Sequence, residues 1–194
     1  MRDLTAQILA CKQCSDRFLA THTAHAPRPV VWFQPGARIL IAGQAPGMRV
    51  FKSGRPFDDP SGDRLREWMG IDAETFYDRG RIAILPMAFC FPGYNDKGAD
   101  LPPPSVCARS WRLQALQQIG EVPLTLLVGT YAQRWHLGGR MSVTDRVAGW
   151  RETAPSIFPL PHPSWRNTGW IKRNGWFEAD LLPVLRRAVR NVLR

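Results

Sequence analysis

No apolar run in this sequence approaches the ~18 residues that a helix needs to cross a bilayer, which excludes an ordinary membrane-spanning protein. The first residues, 1–7, carry an acidic side chain early and no long apolar block, so a secretory signal peptide is not expected. We therefore predict a cytoplasmic protein without a membrane partner. Internal repeats and low-complexity segments are also missing, which argues against a repeat architecture.

Acidic residues are scarce, because 16 Asp and Glu stand against 26 Lys and Arg and leave a formal net charge of +10. The excess is mainly arginine and is spread along the chain rather than gathered in a tail, which favours a folded basic face. Nucleic acid is the natural partner of such a face. A basic protein without a polyanionic partner has the same composition.

Cysteine is limited to four residues, at positions 11, 14, 90 and 107. Without an export signal, disulfides are not expected, and the question becomes whether the thiols bind a metal or a cluster. A Walker lysine and a dinucleotide-binding fingerprint are absent, which counts against a nucleotide or phosphate-ester enzyme. With 194 residues, the chain can form one substantial core, and we predict a single domain over 1–194.

Four compact apolar runs predict buried strands near 38–42, 81–85, 124–129 and 156–160. Helical patterns alternate with them, including one that Ser61 could cap and a long one from Gly175 to the C-terminus. Strands that alternate with helices predict an α/β fold: a three-layer α/β/α sandwich around a central, mainly parallel four-stranded sheet.

Loops rich in polar and turn residues follow three of the predicted strands, at the edge where α/β proteins place ligand-facing backbone. The first strand leads into Gly43–Gly47 and a second punctuated loop, Ser53–Gly62. The fourth leads into 161–167, and the second into a loop through Pro104 that is too long for a simple connection. Turn formation alone also explains glycines of this kind.

Three short motifs in these loops resemble those of the uracil-DNA glycosylase superfamily. They are Gly43-Gln44-Ala45-Pro46-Gly47, then Gly54-Arg55-Pro56-Phe57 with Ser61-Gly62, and finally His162-Pro163-Ser164. The resemblance is strongest to the iron-sulfur, family 4 branch, whose first motif is typically GEAPG and whose cysteine layout is similar. It runs from Cys11 to the last helix and implies a glycosylase that turns a damaged base out of single- or double-stranded DNA and cleaves its glycosidic bond.

The resemblance implies that the cysteines bind a structural 4Fe-4S cluster, with Cys11, Cys14, Cys90 and Cys107 as ligands. Zinc would accept the same four ligands, and unligated buried thiols are a third interpretation. We also expect the protein to be a monomer.

The resemblance gives His162 the role of hydrogen-bond donor to the departing base, and Phe57 that of the aromatic ring that stacks on it. Gln44 could orient the attacking water, and Asp58 or Asp59 could position or deprotonate it. Ordinary core packing of Phe57 and loop capping by the aspartates are the structural alternatives.

Further residues are expected to contact the base or the DNA, through short side chains, open backbone donors or a loop that probes the duplex. They are Gly43, Ala45, Pro46, Gly47, Phe57, Met87, Asn95, Ser164, Trp165 and Arg166. Arg166 could fill the gap that the base leaves.

Two positions depart from the family pattern. The first motif normally has an acidic residue where Gln44 stands, and an amide cannot take a proton from water. The second strand normally ends in an asparagine that reads uracil, whereas Pro86 stands there with no amide and no backbone N–H. Either Gln44 or Asn95 reads the base, or the protein acts on a different one. The alternative is a nucleic-acid-binding module that kept the scaffold and lost catalysis.

Overall fold

A computed structural model describes residues 3–194, and within them a single sheet of four parallel strands forms the centre of the fold. The strands are β1 (Ile39–Ala42), β2 (Ile82–Ile84), β3 (Leu124–Val128) and β4 (Ile157–Leu160), in the order β2-β1-β3-β4. Each predicted apolar run contains one of them. The predicted α/β fold class is therefore confirmed.

Helices connect the strands and cover both faces of the sheet. They are α1 (Leu4–Leu9), α2 (Ser15–Leu19), α3 (Met48–Ser53), α4 (Pro60–Met69), α5 (Ala73–Tyr77), α6 (Ser105–Cys107), α7 (Leu113–Ile119), α8 (Gly129–Leu137), α9 (Val143–Ala148), α10 (Thr168–Arg173) and α11 (Leu182–Leu193). Wider π-helical turns precede α7 at Ala108–Arg112 and α11 at Phe177–Leu181, and 3-10 turns cover Trp150–Glu152 and Trp165–Asn167. Over the described residues, no helix has both the length and the apolar character needed to cross a bilayer.

The core lies on both sides of the sheet because successive strand residues point to opposite faces. Ile39 and Ile41 pack on one side, in a cluster that includes apolar residues of α4 and α11. Leu40 packs on the other side with residues of α1 and α7. All four residues of β1 are buried, as expected for a strand covered on both faces.

The strand order places a topological switch point beside β1. The chain passes from β1 to β2 on one side and then crosses to β3 on the other, so β1 is hydrogen-bonded to both neighbours. In open parallel sheets, ligands bind outside the carboxyl ends of the strands at such a point. The loops after β1 and β4 end at that edge.

The stretch predicted as two consecutive loops contains a helix. α3 forms there because Val50 turns into the core and Gly54, with a φ of +73°, ends the helix in a left-handed conformation. The next helix, α4, begins at Pro60 and is capped by Asp59 rather than by Ser61.

Candidate functional site

A cavity of about 670 Å³ lies at the carboxyl edge of the sheet, between the loop after β1 and the loop after β4. Most of the side chains predicted to act on a base line it: Gly43, Gln44, Ala45, Pro46, Gly47, Phe57, Asp59, His162, Ser164, Trp165 and Arg166. They are far apart in the sequence and meet because parallel strands end at one edge. The volume is in the range of small-molecule sites.

The loop after β1 is held by the segment that follows β2. The carbonyl oxygen of Gly43 accepts a hydrogen bond from the N–H of Met87 at 2.9 Å, and that of Gln44 accepts one from Ala88 at 3.2 Å. α3 begins immediately after Gly47. The loop is thus fixed at both ends, and the half-buried Gln44 is held at the cavity wall.

Phe57 has a left-handed backbone, with a φ of +53°, which costs about 1–2 kcal/mol for a residue other than glycine. Its carbonyl oxygen accepts a hydrogen bond from the Tyr77 hydroxyl at 3.1 Å, and its ring meets Phe76 edge-on at 6.0 Å. A side chain at Gly62 would lie 1.8 Å from the same carbonyl oxygen. These contacts fix the ring in the cavity wall, where a methyl group on Gly43 would lie 3.8 Å from Cζ of the ring.

Asp59 both caps a helix and lines the large cavity. Its Oδ1 atom caps α4 by accepting a hydrogen bond from the N–H of Gly62 at 3.0 Å, so the predicted capping role applies. The same carboxylate lines the cavity. Asp58 is exposed and lies outside the cavity lining, in an adjoining groove with Lys52, because the turn into α4 directs the two aspartates differently.

His162 is positioned as a neutral hydrogen-bond donor. The N–H of Ser164 donates to its Nδ1 at 3.2 Å, so Nδ1 is an acceptor and the ring proton sits on Nε2. The Asn167 side chain holds the backbone by donating to the His162 carbonyl oxygen at 2.7 Å. Burial lowers the pKa of His162, and the negative charge of Asp59 partly opposes that shift.

The mouth of the cavity carries an exposed aromatic ring and several charges. Trp165 is 73% exposed, and the Arg166 guanidinium lies 5.5 Å from its ring centre. Ser164 is tied down by Arg64, which donates to its carbonyl oxygen at 3.1 Å. Across the mouth, partial desolvation raises the pKa of Asp100, with Arg166 opposing that rise.

Pro86 follows β2, and its backbone carbonyl oxygen already accepts a hydrogen bond from Arg112. Pro86 lines the cavity, and its carbonyl oxygen and that of Leu85 both accept from Nη1 of Arg112, at 3.0 and 3.1 Å. Arg112 is 1% exposed, and its Nη2 donates to Nε2 of His136 at 2.6 Å. Burial lowers the pKa of Arg112 to about 10, so it remains charged at neutral pH, whereas burial and that charge lower the pKa of His136 to about 4.

Two residues predicted to contact the base lie outside the cavity lining. Met87 is 8% exposed, and its backbone rather than its side chain serves the site, through the bond to Gly43. The Asn95 side-chain oxygen accepts hydrogen bonds from the N–H groups of Lys97 and Ala99, each at 3.0 Å. Asn95 therefore stabilises a turn of the long loop, as asparagine commonly does.

The cavity also contains residues that sequence reasoning did not select. Arg49, on α3, and Trp32 and Asp100 line it. Asp100 belongs to the long loop after β2. The unusual length of that loop was a signal that the loop contributes to a site. Nothing in the sequence singled out Arg49, because the helix that carries it was itself not predicted.

All four cysteines are free thiols, and together they line one small cavity. Burial raises the pKa of Cys90 to about 12 and that of Cys107 to about 11, with neighbouring cysteines adding to the shift at Cys90. The Sγ atom of Cys107 accepts a hydrogen bond from the N–H of Phe89 at 3.4 Å. The N-terminal Cys11 and Cys14 are thereby brought beside the segment that follows β2.

Four sulfur donors are the set that suits zinc or an iron-sulfur cluster. Within residues 3–194, no group of three or more His, Cys, Asp or Glu side chains converges closely enough to hold a metal ion. A zinc ion needs all four sulfurs about 2.3 Å from one point, whereas a cluster is a larger body with wider-spaced ligands. The four thiols are a donor set that either group takes, and the cavity that they line has a volume of about 20 Å³.

A comparison with protein-family models gives a match to the uracil DNA glycosylase superfamily over residues 30–186. The match contains β1 to β4 and both loops that form the large cavity. It includes Cys90 and Cys107 but leaves Cys11 and Cys14 outside its range.

Replacing Gly62 by alanine tests the close contact with Phe57. Because the added methyl group would overlap the Phe57 carbonyl, we expect Gly62→Ala to lower the free energy of unfolding by about 2–3 kcal/mol in urea denaturation. Gly47→Ala is the matched control, since its methyl group would enter open space, and its effect should stay within about 0.5 kcal/mol. Equal stabilities of the two variants would contradict this account.

The pKa of His162 depends on the negative charge of Asp59. We expect its pKa, followed by NMR titration of the ring protons, to lie below the ordinary value of 6.5 because the ring is buried. Asp59→Asn removes a charge that favours the imidazolium and should lower the pKa further. Asp58→Asn, the same change outside the cavity, should leave it unchanged, and an equal shift in both variants would count against the assignment.

Proposed function

We propose, because this chain belongs to the uracil DNA glycosylase superfamily, that it is a DNA glycosylase that hydrolyses the N-glycosidic bond of a damaged base turned out of the stack. One observation carries the proposal: a neutral His162, with its donor proton on Nε2, shares one cavity with the ring of Phe57 and the carboxylate of Asp59.

Phe57 stacks on the extruded base and offsets part of the stacking lost from the DNA. A stacked base contributes about 1–3 kcal/mol, and the fixed ring spends no entropy on ordering itself. Trp165 and Arg166, at the mouth, occupy the gap in the DNA and hold it open. The Ser164 hydroxyl accepts from the N–H of Arg166 at 3.3 Å and keeps its own proton to donate to a phosphate oxygen.

The reaction breaks the bond between C1′ of the sugar and the base nitrogen, and the electron pair leaves with the base. Nε2–H of His162 donates a hydrogen bond to the base oxygen on which the negative charge develops. The carboxylate of Asp59 stabilises the positive charge on the sugar and receives a proton from the water that forms the new C1′–O bond. Gln44 orients that water through its amide.

The residues after β2 bear on the range of bases that the cavity accepts. Pro86 offers an apolar ring there, and its carbonyl is engaged by Arg112, so no group at this point distinguishes the edge of uracil. Asn95 lies outside the cavity lining and its side-chain oxygen is held in a turn, whereas the Gln44 amide lines the cavity and is the group we propose to read the base. We propose a substrate range that includes uracil and other deaminated bases rather than strict uracil selectivity.

A catalytically inactive DNA-binding module is the second candidate. It is favoured by Gln44, which cannot act as a general base, and by Pro86, which cannot read uracil. Asp59 weighs against it, because this carboxylate supplies within the cavity the acidic group that position 44 lacks.

We also propose that the chain belongs to the iron-sulfur branch and that Cys11, Cys14, Cys90 and Cys107 hold a 4Fe-4S cluster. When bound, the cluster supplies structural cross-linking rather than a step of the reaction. The four thiols connect the N-terminal segment with α6 and with the segment after β2. The latter segment is the one that anchors Gly43 and Gln44.

Glycosylase activity is tested with oligonucleotides, single- and double-stranded, that contain uracil, hypoxanthine, xanthine or mismatched thymine. We expect an abasic product from at least one of them, and a loss of about 10²–10³-fold in the cleavage rate for His162→Ala, which removes the donor to the leaving base. His22→Ala changes an exposed histidine and should cleave at the wild-type rate. DNA binding without product from any substrate would favour the inactive module.

The cluster is tested on protein purified without oxygen. We expect a brown protein with thiolate-to-iron charge-transfer absorbance, and we expect Cys90→Ser to lose both the colour and the bound iron. Ser110→Ala, a change to a neighbouring half-buried side chain whose hydroxyl donates to Gln13, should keep both. Zinc, or no metal, in the wild-type protein would overturn the cluster assignment.

A further inference from the structure

The exposed side of α11 consists largely of arginine. Arg187 and Arg190 lie on α11, and Arg194 directly follows its last residue. At 100° per residue, these three positions fall within an arc of about 60° around the helix axis. All three are exposed, whereas Leu185 and Val189 on the opposite side are completely buried. We call the three arginines the arginine face.

The arginine face has no nearby counter-charge along its own segment. The sequence contains no Asp or Glu after Asp180. The ion pairs formed within residues 3–194 join Arg66 to Asp63, Arg81 to Asp78 and Arg151 to Asp180, and none of them includes the arginine face. Three guanidinium groups thus remain available for an external anion.

This surface is separate from the large cavity. Arg38, which precedes β1, donates to the carbonyl oxygen of Val192 at 3.2 Å, so the last turn of α11 lies at the amino edge of the sheet. The cavity opens at the carboxyl edge. The neighbouring Arg186 is not part of this surface, since it donates to the Glu67 carbonyl and packs against Gly70.

The arginine face is chemically suited to bind a phosphate backbone. A basic helix binds a membrane or a partner groove through its apolar side, but the apolar side of α11 is buried in the core. Guanidinium groups bind phosphate through two parallel hydrogen bonds. α11 carries Arg187 and Arg190, and Arg194 at its C-terminal end extends the row to about 10 Å. Such a row matches successive phosphates of a nucleic acid.

We propose that the arginine face is a second DNA-binding surface, which holds the phosphate backbone of undamaged DNA without reading its sequence. Such contacts let a protein stay on DNA and slide while a separate site examines bases. This second surface rests on the proposed DNA binding, but it does not depend on cleavage of a glycosidic bond. It is therefore testable even if the protein excises nothing.

The test measures the affinity for a long undamaged duplex over a series of KCl concentrations. Each phosphate contact contributes about 0.9 to the slope of log K against log salt concentration. The triple variant Arg187→Gln, Arg190→Gln, Arg194→Gln should therefore bind with a slope that is shallower by about 2–3. Cleavage or binding of a short single-stranded oligonucleotide in the cavity should not change.

A control variant removes the same charge elsewhere, through Arg134→Gln, Arg140→Gln and Lys172→Gln, all at exposed positions. It should keep a slope closer to that of the wild type. In the wild-type protein, duplex DNA should also protect the arginine face from modification by phenylglyoxal. Equal slopes for the two triple variants, absence of protection, or arginine-dependent binding to phosphatidylserine vesicles but not to DNA would overturn the proposal.

Discussion

The cavity wall that contains Phe57 depends on the close approach of the residue 62 backbone to the carbonyl of Phe57. A glycine at this position allows α4 to begin directly beneath that carbonyl, and the Tyr77 hydroxyl holds the carbonyl from another side. Phe57 consequently keeps a strained φ of +53°, and Asp59 caps the helix with its carboxylate at the cavity. Strain of this kind persists where surrounding contacts over-determine the backbone, and it is common at functional sites.

The electrostatics of the site follow from burial. His162 remains neutral because its ring is desolvated, and the Ser164 N–H fixes the tautomer that leaves Nε2–H free to donate. The negative charge of Asp59 acts on this ring and partly opposes the fall in its pKa. Arg112 is a buried cation that donates to the carbonyl oxygens of Leu85 and Pro86. A neutral donor beside a carboxylate suits a reaction in which the sugar becomes positive and the leaving base negative.

The strands and the sheet edge at which the large cavity lies could be predicted because they depend on local patterns. Short continuous apolar runs indicated the parallel sheet, and polar loops after β1 and β4 indicated its functional edge. The roles of individual side chains could not be predicted, because they depend on tertiary contacts. The side chain of Asn95 is held in a turn of its own loop. Arg112, in the turn that precedes α7, donates a hydrogen bond to the carbonyl oxygen of Pro86, and no sequence spacing indicates this pairing. The helix that carries Arg49 forms only because Val50 reaches the core.

The central claim is that the cavity receives a single base turned out of DNA. A crystal structure with an oligonucleotide that contains a non-hydrolysable 2′-fluoro-arabino nucleotide tests it most directly. The account predicts the base in the cavity, stacked on Phe57, with a base oxygen within hydrogen-bond distance of Nε2 of His162. A base that remains stacked in the DNA, or that binds outside the cavity, would contradict it.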